Sequence, residues 1–392
     1  MRYRGCHGVG GSWSGGDDDD TPAPPPARRK TQRSDDMVLG YDDNPSRDGL
    51  NRMTEARLAL DLGRSLPERS RSYADACDWG HIAQMALIPS GRDRGLHPVH
   101  QRGGMISLAL TTSDFTRAFG TYAAAFLQTI FANAMTTHLR LGTVETFTDF
   151  KNVSLVEGVD FPELLETDES GSISQGAIAD SGEVGRLVNY ARIITITPKM
   201  LINDGEKLIP ALLKAAAQRV LDLEDALAWE TLTSGTSNNG PTMRDGSQFF
   251  ATSRGNLASS ATAISTASIG VARGAMGSQT GPGGTAGVAV PRVLICNPTK
   301  IALAEEALAS FALGADPASR IYAVPSPRVI DNDWYLAADP KVRPAMVFGR
   351  LEGSPIAVSQ PDWATGGLAV KVRHDFSATC VEPRSLYRNP GA

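Results

Sequence analysis

Residues 144–235 constrain the fold more than any other part of the chain. A strand-like run, ValGluThrPheThrAspPheLys (144–151), gives way to a polar stretch that ends at ArgLeuValAsnTyrAlaArgIleIleThrIleThr (186–197). Between them lie Gly158, Gly171, Gly176, Gly182 and Gly185, with acids at Glu157, Asp160, Glu163, Glu166, Asp168, Glu169, Asp180 and Glu183. So few large apolar residues cannot bury a core of their own, and the stretch must project from the body.

The returning segment is a strand by its β-branched and aromatic content: Val188, Tyr190, Ile193, Ile194 and Ile196, stopped at Thr197-Pro198, where proline opens a short helical turn. LysMetLeuIleAsnAspGlyGlu (199–206) reads as a second stop and restart. After it Ile209, Leu212, Leu213, Ala216, Val220, Leu223 and Leu227 recur at helical spacing, with Lys214, Arg219, Asp222, Asp225 and Glu230 between them. Pro210 belongs in the first turn of that helix, because an interior proline leaves a carbonyl unpaired at a cost of about 3 kcal/mol. From Pro210 to Thr233 the helix would be about 36 Å long. Residue pattern alone leaves two readings open: a core helix following an exposed loop, or a loop with a task, since structureless loops of this length are uncommon in compact domains.

Composition excludes several classes. At 392 residues, 41% hydrophobic and 21% charged, the chain can bury one large core or two moderate ones. A net charge of −5 and a pI near 5.7 argue against a general nucleic-acid binder. No run of eighteen apolar residues exists to span a membrane, and the N-terminus lacks the apolar segment of a signal peptide. Cys6, Cys77, Cys296 and Cys380 are far apart with no CxxC pair, which fits a reducing compartment.

Candidate chemistry is sparse. Cys77, His81, His97 and His100 mimic zinc-ligand spacing, but a single thiolate in a short polar stretch favours a solvated loop. No GxSxG elbow, phosphate-binding GxxxxGK[ST] loop, GxGxxG fingerprint or HExxH motif is present. GlyProGlyGly (281–284) lacks the lysine and hydroxyl of a phosphate cradle and reads as a turn, and His374-Asp375 reads as structural for want of a nucleophile. The acids of the excursion do not follow EF-hand spacing. No catalytic residue, cofactor or metal is assigned.

The order of helix, ThrAspPhe-containing strand, acidic glycine-rich excursion, IleThrIleThr strand, MetLeuIleAsnAspGly turn and long helix resembles the major capsid proteins of tailed bacteriophages. More narrowly, it is similar to the Mu-like major head subunit branch of the Hong Kong 97-type capsid fold, including forms fused to a prohead protease. LeuThrThrSerAspPhe (110–115), SerArgGlyAsnLeuAla (253–258), TrpTyrLeuAlaAlaAspPro (334–340) and the stretch from LysValArgHisAspPhe to LeuTyrArgAsnProGlyAla (371–392) agree in family order. The resemblance implies an α+β chain divided into an N-terminal arm and helix (105–143), an extended loop with flanking strands (144–197), a peripheral domain with a long spine helix (198–255 and 340–392) and an axial domain (256–339). Helix 113–138, opened by Ser113 as cap, is either part of that arm or an internal amphipathic helix. In the axial block, 262–279 and 300–312 are expected helices around a strand at 290–298.

Upstream, residues 1–40 are rich in Gly, Pro, Asp and Arg and read as a disordered tail. Residues 41–104 read as a small helical module with a Gly/Arg-rich linker, scaffold-like or a remnant of a protease–capsid joint. The protease itself is absent, and Met105 is a plausible start or a point near a maturation cut. The resemblance implies a non-enzymatic shell subunit that assembles with itself into pentamers and hexamers around double-stranded DNA in the virion, with scaffold, prohead protease, portal and decoration proteins as partners during assembly in the host cytoplasm. Some family members weld subunits through a lysine in the excursion, but this chain has none between Lys151 and Lys199. Noncovalent contacts must serve, and the candidates are Asp168, Glu169 and Glu183 against Arg186, Arg192 and Arg219 of the next subunit. A nanocompartment shell protein and, further off, a soluble hydrolase are the alternatives.

Overall fold

The computed structural model describes residues 45–90, 102–134, 136–156, 182–280, 289–312, 320–362 and 367–392, which fall in one compact unit spanning Leu39–Ala392. The expected tail 1–40, residues 91–101 of the expected linker, the tip of the excursion and GlyProGlyGly (281–284) lie outside the described residues, whereas residues 102–104 of that linker are helical.

One helix ties the described elements together. α5 runs unbroken over Pro198–Leu232, 35 residues and therefore about 52 Å, with Pro210 inside it. The restart expected at 199–206 does not occur. Local sequence argued for it, but Ile209 and Leu213 are buried on either side of the proline, and packing of the apolar stripe outweighs one missing hydrogen bond.

Before α5 come α1 (Pro45–Asp61), a 3-10 helix (Glu68–Ala76), α2 (Trp79–Leu87), α3 (Arg102–Ala109) and α4 (Ser113–Ala132). α4 ends earlier than expected, and its N-cap is Thr112 with no side-chain cap bond, so Ser113 is the first helical residue. Its Phe115, Phe119, Tyr122 and Phe126 are buried, which makes α4 an internal helix of this subunit. The upstream helices do not form a module of their own. Leu50, Met53, Trp79, Ile82, Met105 and Ile106 join Phe115, Phe119, Ile209, Leu213, Val220, Leu368 and Val370 in a single core. Short helices with one apolar face need such a partner surface.

Among the described residues the strands form two larger sheets and one ribbon. In the first sheet β1 (Gly142–Phe147) lies parallel to β8 (Met346–Leu351), and β8 lies antiparallel to the last part of β10 (Gly367–Cys380). The earlier part of β10 is flanked by β9 (Ile356–Asp362) on one edge and β4 (Val188–Ile196) on the other. Gly142 is required where β1 meets β8, because a Cβ there would fall 2.0 Å from the Met346 carbonyl oxygen. β10 runs as one strand through residues 368–378. β1 and β4 sit at opposite edges, so the excursion between them is not a simple hairpin on one edge. Among the described residues its base pairs with itself, β2 (Val153–Val156) against β3 (Gly182–Gly185), pinned by Phe147, Leu155, Leu187, Val347 and Val381.

The second sheet has the order β11 (Leu386–Asn389), β7 (Trp334–Ala338), β5 (Pro291–Cys296), β6 (Tyr322–Pro325). It is apolar on both faces by simple alternation. Val293, Ile295, Tyr335, Ala337 and Leu386 face Ala228, Trp229 and Leu232 of α5, while Leu294, Cys296, Trp334, Leu336 and Tyr387 face α6 (Thr266–Gly277) and α7 (Ile301–Ala312). The helix–strand–helix block is thus present, with α6 opened by a Ser265–Ser268 capping box. The last strand crosses over: β11 pairs with β7, although residues 340–392 were expected to lie together beside the long helix.

Replacing Pro210 restores a backbone donor to the interior of α5. Pro210→Ala is therefore expected to raise the stability of the chain by about 2 kcal/mol, after discounting the lost rigidity of the unfolded state. Chemical denaturation of both proteins measures it, and an unchanged or lower midpoint would mean that the surrounding packing depends on the proline ring.

The buried junction and the candidate subunit interface

Along α5 the buried positions fall every three or four residues: Ile209, Leu213, Ala217, Val220, Glu224, Ala228 and Leu232. One of these is a carboxylate. Glu224 stands where the first core ends and the second begins, four residues from Val220 and four from Ala228, and it is wholly buried.

A buried charge persists only when it is paired and hydrogen-bonded. Arg350 of β8 supplies a bidentate fork, its Nε donating to Glu224 Oε1 at 2.7 Å and its Nη2 to Oε2 at 2.6 Å. The same guanidinium lies over the Phe131 ring, 4.4 Å from its centroid. From β10, His374 Nε2 reaches Glu224 Oε1 at 2.8 Å, and His138 Nε2 is 3.5 Å from Oε2. Next along the helix, Asp225 Oδ1 accepts from the Thr137 hydroxyl at 2.6 Å and the His138 backbone N–H at 2.9 Å. Asp225, which the spacing places between the stripe positions, is thus drawn inward, and with Glu224 it holds the segment after α4 against the helix. The signal was a pair of acids at 224–225, one of them in phase with the apolar stripe.

Burial works to raise the Glu224 pKa, but the hydrogen bonds from His138, His374 and Arg350 outweigh it and bring it down to about 2. For His138 burial works downward and is outweighed by Asp225 and Glu224, so its pKa is raised above 6.5. The linkage signs follow. The Glu224 contribution is complete above its unfolded value of 4.5 and fades as pH falls toward 2. That of His138 is complete below 6.5 and fades as pH rises through the raised folded value.

His374 and Asp375 are neighbours on one strand and point to opposite faces. His374 serves Glu224 and accepts or donates at Ser354 Oγ (2.8 Å), whereas Asp375 is held by Asn189 and Arg373. They do not act as a dyad. At the metal-like spacing, the buried Cys77 thiol donates to the Ala74 carbonyl and His81 pairs with Asp78, and His97 and His100 lie outside the described residues.

The predicted interface residues separate into three groups. Asp168 and Glu169 lie outside the described residues. Glu183, on β3, accepts the backbone N–H of this chain's own Arg244 at 2.8 Å. Arg186, Arg192 and Arg219 are exposed, and Arg219 makes only a loose contact with Asp222 at 3.5 Å. Arg192 and Arg219 both line an apolar groove between β4 and α5, a cavity of about 310 Å³ shared with Tyr190, Ile194, Leu212, Ala216, Val220 and Val372. No spacing in the sequence relates position 192 to position 219, because the groove exists only once the strand lies beside the helix.

The family model described as phage capsid protein matches residues 182–389, more than half of the chain and every described element from β3 to β11. The chain belongs to the phage capsid protein family, and it is a shell-forming structural subunit of the virion. Among solved structures it is similar to a virus-like particle protein from Pyrococcus furiosus (TM-score 0.44, 10% identity, covering 69% of this chain and 99% of that one). Similar too are a chain of Mycobacterium phage Che8 (0.40, 13%, 66% and 93%) and the holo-SrpI encapsulin of Synechococcus elongatus (0.42, 12%, 65% and 88%). No curated protein sequence matches the chain significantly.

Two outcomes test the junction. Glu224→Gln keeps the shape but takes the charged partner from Arg350 and from the buried His374, and urea denaturation should show a loss of about 3–5 kcal/mol. In thermal scans between pH 5 and 9, the midpoint of the native chain should fall as pH rises above 6.5, and in His138→Gln that slope should flatten.

Proposed function

We propose that this chain is the major head subunit of a Hong Kong 97-type shell of the Mu-like branch, which closes as an icosahedron of pentamers and hexamers around the double-stranded DNA of a tailed phage or prophage. The observation that carries this reading is the family match over 182–389, because that span takes in the long helix, the second sheet and every strand of the first but β1. α5 with the β1–β8–β10–β4 sheet is the peripheral domain and spine; α6, α7 and the second sheet are the axial domain; the segment between β1 and β4 is the extended loop. Scaffold, prohead protease, portal and decoration proteins are its partners, and assembly takes place in the host cytoplasm.

Two features support a noncovalent lattice. The excursion has no lysine to form a covalent weld. Its acids, Asp168 and Glu169 among them, complement the exposed arginines at the β4–α5 groove, Arg192 and Arg219, with Arg186 nearby in sequence at the foot of the ribbon. We assign these arginines to the contact made by the loop of the next subunit. Glu183 contributes by fixing the ribbon to Arg244, which sets the angle at which the loop leaves the body. Such pairs specify register more than they add energy.

Sedimentation and negative-stain microscopy of the expressed chain, alone and with the other head proteins, should show closed shells or capsomers containing nucleic acid when packaging proteins are present. Particles holding only protein would reassign the chain to the nanocompartments, and a monomer under every condition would remove the shell reading. The double variant Arg192→Glu, Arg219→Glu should keep stability within about 0.5 kcal/mol, as expected of exposed positions, while particles give way to unassembled subunits.

A further inference from the structure

The family match begins at residue 182 and says nothing of the helices near the N-terminus. Their packing does. Trp79 is completely buried against α4, its ring 6.3 Å from Phe115, 5.2 Å from Phe119 and 5.1 Å from Tyr122, the last edge to face. The Tyr122 hydroxyl donates to Asp61 Oδ2 at 2.6 Å, and Arg57 holds that carboxylate with a second fork at 2.8 and 2.9 Å. α1 is locked in turn to the 3-10 helix, where Arg69 and Ser70 both donate to Glu55. Met105 and Ile106 have no exposed surface, and both belong to the core that includes Ile209, Leu213 and Val220 of α5.

A chain starting at Met105 would begin inside the described helix α3, at a residue with no solvent exposure. It would also uncover the aromatic face of α4, a contiguous apolar surface of the kind that soluble proteins do not leave open. We propose that residues 45–90 and 102–110 are a permanent wall of the shell subunit, the in-chain cover of α4 and of the first half of α5, so that maturation either cuts upstream of Pro45 or leaves the cut piece in place. The partner for the apolar face of α4 is thus this chain's own N-terminal helices and not a separate scaffold protein. The inference uses the shell reading only for the particle on which its test is read.

The test uses the full chain with a site-specific protease sequence substituted for residues 93–99. After assembly the particles are cut, sedimented and analysed by denaturing mass spectrometry. The piece carrying residues 45–90 is expected to pellet in a one-to-one ratio with the remainder and to separate only under denaturant. Intact shells that pellet without it would overturn the proposal. If the chain yields no particles, the same cut is read by size-exclusion chromatography of the soluble protein: co-elution supports the cover, and separate elution of two folded pieces sinks it. Mature shells made with all head proteins provide a second reading, in which a chain starting at or after Met105 with no upstream peptide would also overturn it.

Discussion

The structure depends on a single carboxylate being acceptable where it would ordinarily be expelled. α5 is long enough to serve two cores, and a helix passing from one to the other must cross the seam between them. Glu224 stands at that seam, and Arg350, His374 and His138 reach it from β8, from β10 and from the segment after α4. Each of these side chains comes from a different stretch of sequence, so the helix, the sheet and the connection are positioned by one charge. Hydrophobic residues could have filled the seam at equal or lower energy, but they would not have fixed the axial position of a helix against a sheet.

That fixation matters for a shell subunit. The groove between β4 and α5 is continuous with the junction, since Val220 and Val372 line it two to four residues from Glu224 and His374. A helix free to slide along the sheet would change the spacing of Arg192 and Arg219 in that groove. The excursion is restrained in a similar way. It leaves from one edge of the first sheet and returns at the other, and the cluster around Phe147 and Leu187 clamps its ribbon where it departs. The β2–β3 ribbon is thereby fixed at its base to the body of the subunit.

The helices near the N-terminus complete the first core. They bury the aromatic face of α4, which in turn packs on α5, and α3 adds Met105 and Ile106 to the same core. Trp79, set among three aromatic rings of α4, is wholly buried in that contact.

Much was legible in the residues. Alternation and β-branching located the strands at 188–196, 291–296 and 346–351, three- and four-residue spacing located α4 and α5, and the order of these pieces pointed to the capsid family, because local periodicity is set by which face each element must bury. Tertiary structure decided the rest. It overrode Pro210, whose cost is local while its compensation comes from packing along the whole helix. It made Glu224, which the spacing does not single out, and Asp225 an anchor of the fold, since a charge is tolerated inside only if partners distant in sequence arrive. It sent β11 to the second sheet and joined the N-terminal helices to the spine. Sequence determines what each segment must bury, but the surface on which it is buried is fixed only when the segments meet.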